Sequence, residues 1–128
     1  KTKKKRNKII SYQCVGFKNT LSKEISHMIK EYFKNKKYYV LGIGKIEIDM
    51  RKIAIFHGDN ESILNSLITS EEFDVVFSGH THEYLIKNYG KTLHINPGCC
   101  CGYKRYTKIK PSIAIYDTKL HSAEIIKY

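Results

Sequence analysis

The sequence predicts an α/β fold, and three observations carry that prediction. Strand-length apolar runs alternate with helical stripes, a series of antiparallel strand signals follows, and glycines mark the breaks between elements. One domain accounts for the 128 residues, with a basic tail over 1–8 and the α/β unit over 9–128.

After the tail, residues 9–15 read as a short strand that breaks at Gly16. Leu21, Ile25, Met28, Ile29, Tyr32 and Phe33 then recur at helical spacing, with Asn19, Thr20 or Ser22 available as a cap. That stripe is aliphatic and aromatic, which is the chemistry of core packing. From Tyr38 the period changes to that of strands, at 38–41, 45–48 and 52–56, with a turn at Asp49-Met50-Arg51 between the last two. Gly42-Ile43-Gly44 lacks a third glycine and precedes a strand, so it is not a dinucleotide-binding loop.

Asp59 or Asn60 caps a second helix whose buried face is Ile63, Leu64, Leu67 and Ile68. Phe73-Asp74-Val75-Val76-Phe77 is a strand that ends at Ser78-Gly79-His80-Thr81-His82. Strands at 84–87 and 92–95 flank the turn Asn88-Tyr89-Gly90. Asn96-Pro97-Gly98 is expected to break the chain, a loop to run to about Lys110, and strands at 112–116 and 123–126 to close the fold.

Composition narrows the function classes. No run approaches the ~18 apolar residues of a membrane span, and the basic start leads to only a short apolar patch, so a cytoplasmic location is expected. Net charge is +11, but six of the 23 basic residues crowd into the first eight positions and the rest are scattered, mostly as lysine, with only three arginines in the chain. Neither a recognition element nor interleaved aromatics accompany that charge, so no specific nucleic-acid partner is expected. Cys14 and the run Cys99-Cys100-Cys101 have neither disulfide-framework nor zinc-site spacing, and reduced thiols in a tight loop are expected.

Three of the six histidines stand apart. His57 ends one apolar strand at Gly58, and His80 and His82 follow another after Gly79. Loops after strand ends are where α/β proteins gather site residues, and imidazole is a common ligand for divalent transition metals. His80 and His82 are two apart, so their rings can serve two neighbouring ions or clasp one. His27, His94 and His121 carry no such signal: His27 is read as a helix-surface residue, His94 as a strand residue, and His121 as a boundary residue that starts the last strand.

The order Ile55-Phe56-His57-Gly58-Asp59, Ser78-Gly79-His80-Thr81-His82 and Ile95-Asn96-Pro97-Gly98 resembles the calcineurin-like metallophosphoesterase superfamily, above all its small prokaryotic phosphodiesterase branch. Cys100-Cys101-Gly102-Tyr103 and the closing strand from Pro111 add to the likeness, which spans about Ile9 to Tyr128. The resemblance implies a partial α/β/β/α sandwich lacking the N-terminal strands. It also implies hydrolysis of phosphodiesters or phosphomonoesters by water activated on a divalent metal, such as manganese, nickel, zinc or iron. By position, His57 and His80 match ligands of the second metal and His82 a ligand of the first. Asn96, Pro97 and Gly98 match a loop that shapes the site.

The sequence departs from that pattern in its first half. No Asp-x-His occurs, and no strand ends in Gly-Asp ahead of Gly16. Phe17 and Asn19 stand where the family has a ligand asparagine and an aspartate. Imidazoles without carboxylates leave the charge of two hard cations uncompensated, so one ion or none is expected. A complementary chain or a second copy of this one is expected to cover the exposed sheet edge. The alternative is an interaction module that keeps the fold without the catalysis, as in the retromer-associated branch.

Overall fold

A computed structural model describes residues 8–11, 42–101, 103–104 and 107–128. The predicted helix of 21–33, the strand of 38–41, most of the basic tail, His27, Phe17 and Asn19 lie outside the described residues.

Strand β1 (Lys8–Ser11) is followed by a hairpin of β2 (Gly44–Ile48) and β3 (Arg51–Ile55). The two-residue loop has φ of 50° at Asp49 and 64° at Met50, the doubly left-handed turn whose twist suits a tight antiparallel hairpin. Asp49 is tied down further by Thr118, whose hydroxyl donates to its carboxylate at 2.7 Å. Helix α1 (Glu61–Thr69) starts where expected: Asn60 is the N-cap, and its side chain accepts from the Ile63 amide at 3.1 Å. Leu67 and Ile68 are buried, while Ile63 and Leu64 are half-buried on the same face.

Beyond α1 come β4 (Val75–Phe77), β5 (Tyr84–Tyr89) and β6 (Thr92–Pro97), then the short pair β7 (Tyr103–Lys104) and β8 (Thr107–Lys108). Strands β9 (Ser112–Asp117) and β10 (Ser122–Lys127) end the chain. The five-stranded sheet has the order β2-β3-β4-β6-β5, with β3, β4 and β6 parallel and the outer strands antiparallel. A separate antiparallel sheet has the order β1-β9-β10.

Alternation along the central strands produces the layers. Ile53, Val75, Phe77, Leu93 and Ile95 point to one side and meet Ala114 and Tyr116 of β9, so the two sheets share one core. Ala54, Phe56 and Val76 point to the other side and meet Leu67, Ile68 and Phe73 beneath α1. The described residues thus form helix, sheet and sheet, three layers of the predicted α/β/β/α sandwich.

Four sequence expectations need correction. Asn96-Pro97-Gly98 does not end the strand at Ile95. β6 continues through Pro97, which pairs with Tyr84 at the start of β5, where proline's missing amide is tolerated. The break falls at Gly98, with φ 78°, where a Cβ would collide with Ser112 Oγ. The stretch before Lys110 is not all loop, because β7 and β8 form a small antiparallel pair within it. His121 precedes the last strand instead of starting it. It sits in the turn at φ 49°, with Nδ1 2.8 Å from the Tyr116 hydroxyl and Nε2 3.3 Å from the Lys91 carbonyl. Finally, Cys99 and Cys100 are free thiols, but Cys101 is disulfide-bonded, so reduced cysteines are not the rule for the whole loop.

Candidate functional site

Three parallel strands deliver their C-terminal ends to one edge of the sheet, and the polar loops that follow β3 and β4 meet there. Phe56 N donates to Phe77 O at 3.0 Å and Gly79 N donates to His57 O at 2.8 Å, so the two loops continue the ladder past the strand ends. Gly58 supplies the left-handed backbone at this turn, where a side chain would be strained. It has φ 99°, and a Cβ there would lie 3.4 Å from Gly79 O and 3.5 Å from Ser78 Cβ.

The consequence is that His57 and His80 face each other. His57 Nε2 and His80 Nδ1 are 3.3 Å apart, with ring centroids at 5.1 Å and planes nearly perpendicular at 80°. His57 is half-buried and His80 is exposed. Burial holds the His57 pKa below its ordinary value; the nearby His80 and His82 rings add to that depression, and the Asp59 carboxylate opposes it. An imidazole kept neutral in this way has a lone pair to offer.

His80 has φ 71° and His82 φ 60°, left-handed conformations that cost L-residues energy unless their surroundings impose them. Strand β6 imposes them here. Asn96 Nδ2 donates to Gly79 O at 3.0 Å and to Thr81 Oγ1 at 3.1 Å, while Asn96 Oδ1 accepts from Gly98 N at 3.0 Å. Ser78 N donates to Ile95 O at 2.9 Å, and Thr81 N donates to Gly79 O at 2.9 Å. The loop is braced at 78, 79 and 81, the positions around the two histidines.

Chemically, the arrangement offers nitrogen donors at a spacing that suits a shared ion. Two nitrogens each about 2.0–2.1 Å from a tetrahedral zinc would lie about 3.3 Å apart. Among the described residues, no group of three or more His, Cys, Asp or Glu side chains is gathered closely enough to hold a metal ion. The close pair is His57 and His80; His82 lies within electrostatic range of His57. Of the bracing side chains, Asn96 was expected from sequence only as part of a loop that shapes the site, and Ser78 and Thr81 were not expected to act there at all.

The chain is 42% identical over 93 residues to a phosphodiesterase of Methanocaldococcus jannaschii, an alignment covering 71% of this chain and 54% of that protein. It therefore spans about half the length of the curated relative it matches. Among solved structures, an archaeal phosphodiesterase superposes with a TM-score of 0.63 at 31% identity, covering 88% of this chain and 66% of that one. A Streptococcus pneumoniae protein described as a predicted phosphoesterase shares the fold, with a TM-score of 0.58 at 16% identity over 97% of this chain and 99% of its own. Residues 22–121 match the calcineurin-like phosphoesterase superfamily domain, and on that match the chain belongs to this family of hydrolytic enzymes.

Proposed function

We propose that this chain carries the histidine part of a metal-dependent phosphoesterase site acting on phosphodiesters or phosphomonoesters. His57 and His80 hold a divalent ion between them, and His82 supplies a further ligand at the same edge of the sheet. The observation that carries this reading is the 3.3 Å separation of His57 Nε2 and His80 Nδ1, two donors brought together from loops 23 residues apart.

The donor set fits one ion that imidazole suits, namely nickel, zinc or iron; manganese, which the family resemblance also implies, favours carboxylate oxygens. Bound there, such an ion supplies Lewis acidity toward a phosphoryl oxygen and lowers the pKa of water. The residues of this chain do the rest. His57 is half-buried, and burial keeps its pKa below the ordinary value, which favours the neutral ring that a metal ion needs. Asn96 and Ser78 fix the loop so that the His80 ring meets His57 without a search through backbone conformations.

No helix among the described residues is long and apolar enough to cross a membrane. The cytoplasmic location expected from the sequence is kept as part of this proposal. Among the described residues, β2 and β5 are the outer strands of one sheet and β1 and β10 of the other, and a complementary chain or a second copy would add at such an edge.

Calorimetric titration of the chain with zinc and with manganese tests the proposal, run beside hydrolysis of a chromogenic bis-aryl phosphate. One ion bound per chain, with binding lost in His57→Ala and His80→Ala, is the expected result. Binding that survives both substitutions overturns it.

A further inference from the structure

Strand β6 buries a second histidine that nothing in the metal-site reading uses. Leu93 and Ile95 point into the core between the sheets, so His94 and Asn96 share the opposite, helix-side face. On that face His94 is only 6% exposed, and its Nε2 lies 2.7 Å from Ser78 Oγ, itself 7% exposed. The other ring nitrogen, Nδ1, is buried without a hydrogen-bond partner among the described residues.

A buried imidazole with an orphan nitrogen is a poor choice for stability. A leucine of similar size would fill the space beside α1 without desolvating a polar ring. The ring is therefore worth explaining by what it holds. Ser78 immediately precedes Gly79-His80-Thr81-His82, and it already gives its amide to Ile95 O. His94 fixes its side chain as well. An unprotonated Nδ1 is the cheaper orphan, since a buried unpaired N–H is rarer than an unpaired lone pair. That leaves the proton on Nε2, donating to Ser78 Oγ. One strand face thus grips the loop twice: His94 at Ser78, and Asn96 at Gly79 and Thr81.

We infer that His94 is a positioning residue, acting through Ser78 to hold the loop that presents His80 and His82 in their left-handed conformations. Its role is distinct from the ligands', and it rests on the metal-site reading only for its effect on ion binding.

His94→Leu separates holding from folding, with His94→Gln as the conservative variant that can still donate to Ser78 Oγ. The primary readout is amide hydrogen exchange in the metal-free chain. His94→Leu is expected to speed exchange at Gly79 and Thr81 by tenfold or more, leave the β3 amides unchanged, and keep or raise the melting temperature. His94→Gln should restore slow exchange. Exchange at Gly79 and Thr81 equal to that of the native chain overturns the inference, and so does acceleration that spreads evenly to β3. The second readout is zinc affinity, expected to drop about tenfold in His94→Leu, the usual scale for a lost supporting contact. If the native chain takes up no zinc, the metal-site reading fails alone, and the exchange data still decide the role of His94.

Discussion

His57 Nε2 stands 3.3 Å from His80 Nδ1 because Gly79 N donates to His57 O beneath them. A side-chain relationship between separate loops is thus set by a backbone bond, and it should survive changes that leave that bond intact.

His80→Gly tests the strain at the site. Glycine adopts φ near 71° freely, so the substitution is expected to stabilise the metal-free chain by about 0.5–1 kcal/mol while removing a proposed ligand. Urea denaturation should show the midpoint rise, and titration should show weakened zinc uptake. A lower midpoint would mean that the ring's contact with His57 outweighs the backbone cost.

Stability should depend on pH with a definite sign. His57 and His94 both have folded-state pKa values below the ordinary 6.5, each chiefly through burial. The unfolded chain therefore takes up protons at higher pH than the folded one does. Full stability is present above about pH 6.5 and is lost progressively as pH falls toward the folded-state values. Denaturation midpoints at pH 7.5 and 5.0 check this, and His94→Leu should flatten the dependence by removing one of the two groups.

Gly98→Ala should be among the most damaging single changes. It forces a Cβ onto Ser112 Oγ at φ 78° and disturbs the 2.7 Å bond from Ser112 Oγ to Pro97 O. A loss of about 2–3 kcal/mol is expected from the overpacking and the left-handed backbone together, measured by urea denaturation.

Met50→Gly should move stability the other way. Met50 is 88% exposed at φ 64° in the hairpin loop, so its side chain contributes little packing. An Asp-Gly loop suits this turn, and a gain of about 0.5–1 kcal/mol in chemical denaturation is expected.

Much of this was legible in the sequence. The Asn60 cap, the Ile63-Leu64-Leu67-Ile68 stripe and the strand ends at His57 and Ser78 follow from local rules that short-range spacing records. The reach of β6 through Pro97 was not legible, because whether a proline interrupts a strand depends on which partner faces it, and Tyr84 lies thirteen positions away. The bracing by Ser78, His94 and Asn96 was hidden for a similar reason. Each residue is an ordinary polar choice alone, and only the parallel register of Val76 with His94 sets them side by side. Likewise, the resemblance singled out His57, His80 and His82, but it said nothing about their left-handed backbone at 80 and 82.

Every residue of Thr92–Pro97 is buried, and the strand is bonded to a neighbour on each flank. Odd and even positions on it answer to different demands: Leu93 and Ile95 join the two sheets, whereas His94 and Asn96 govern how a loop is held. Mutational scanning along this segment should therefore alternate residue by residue, with thermal tolerance failing at one set of positions and ligand uptake at the other. A library that varies only 94 and 96 could retune the loop while leaving the join between the sheets untouched.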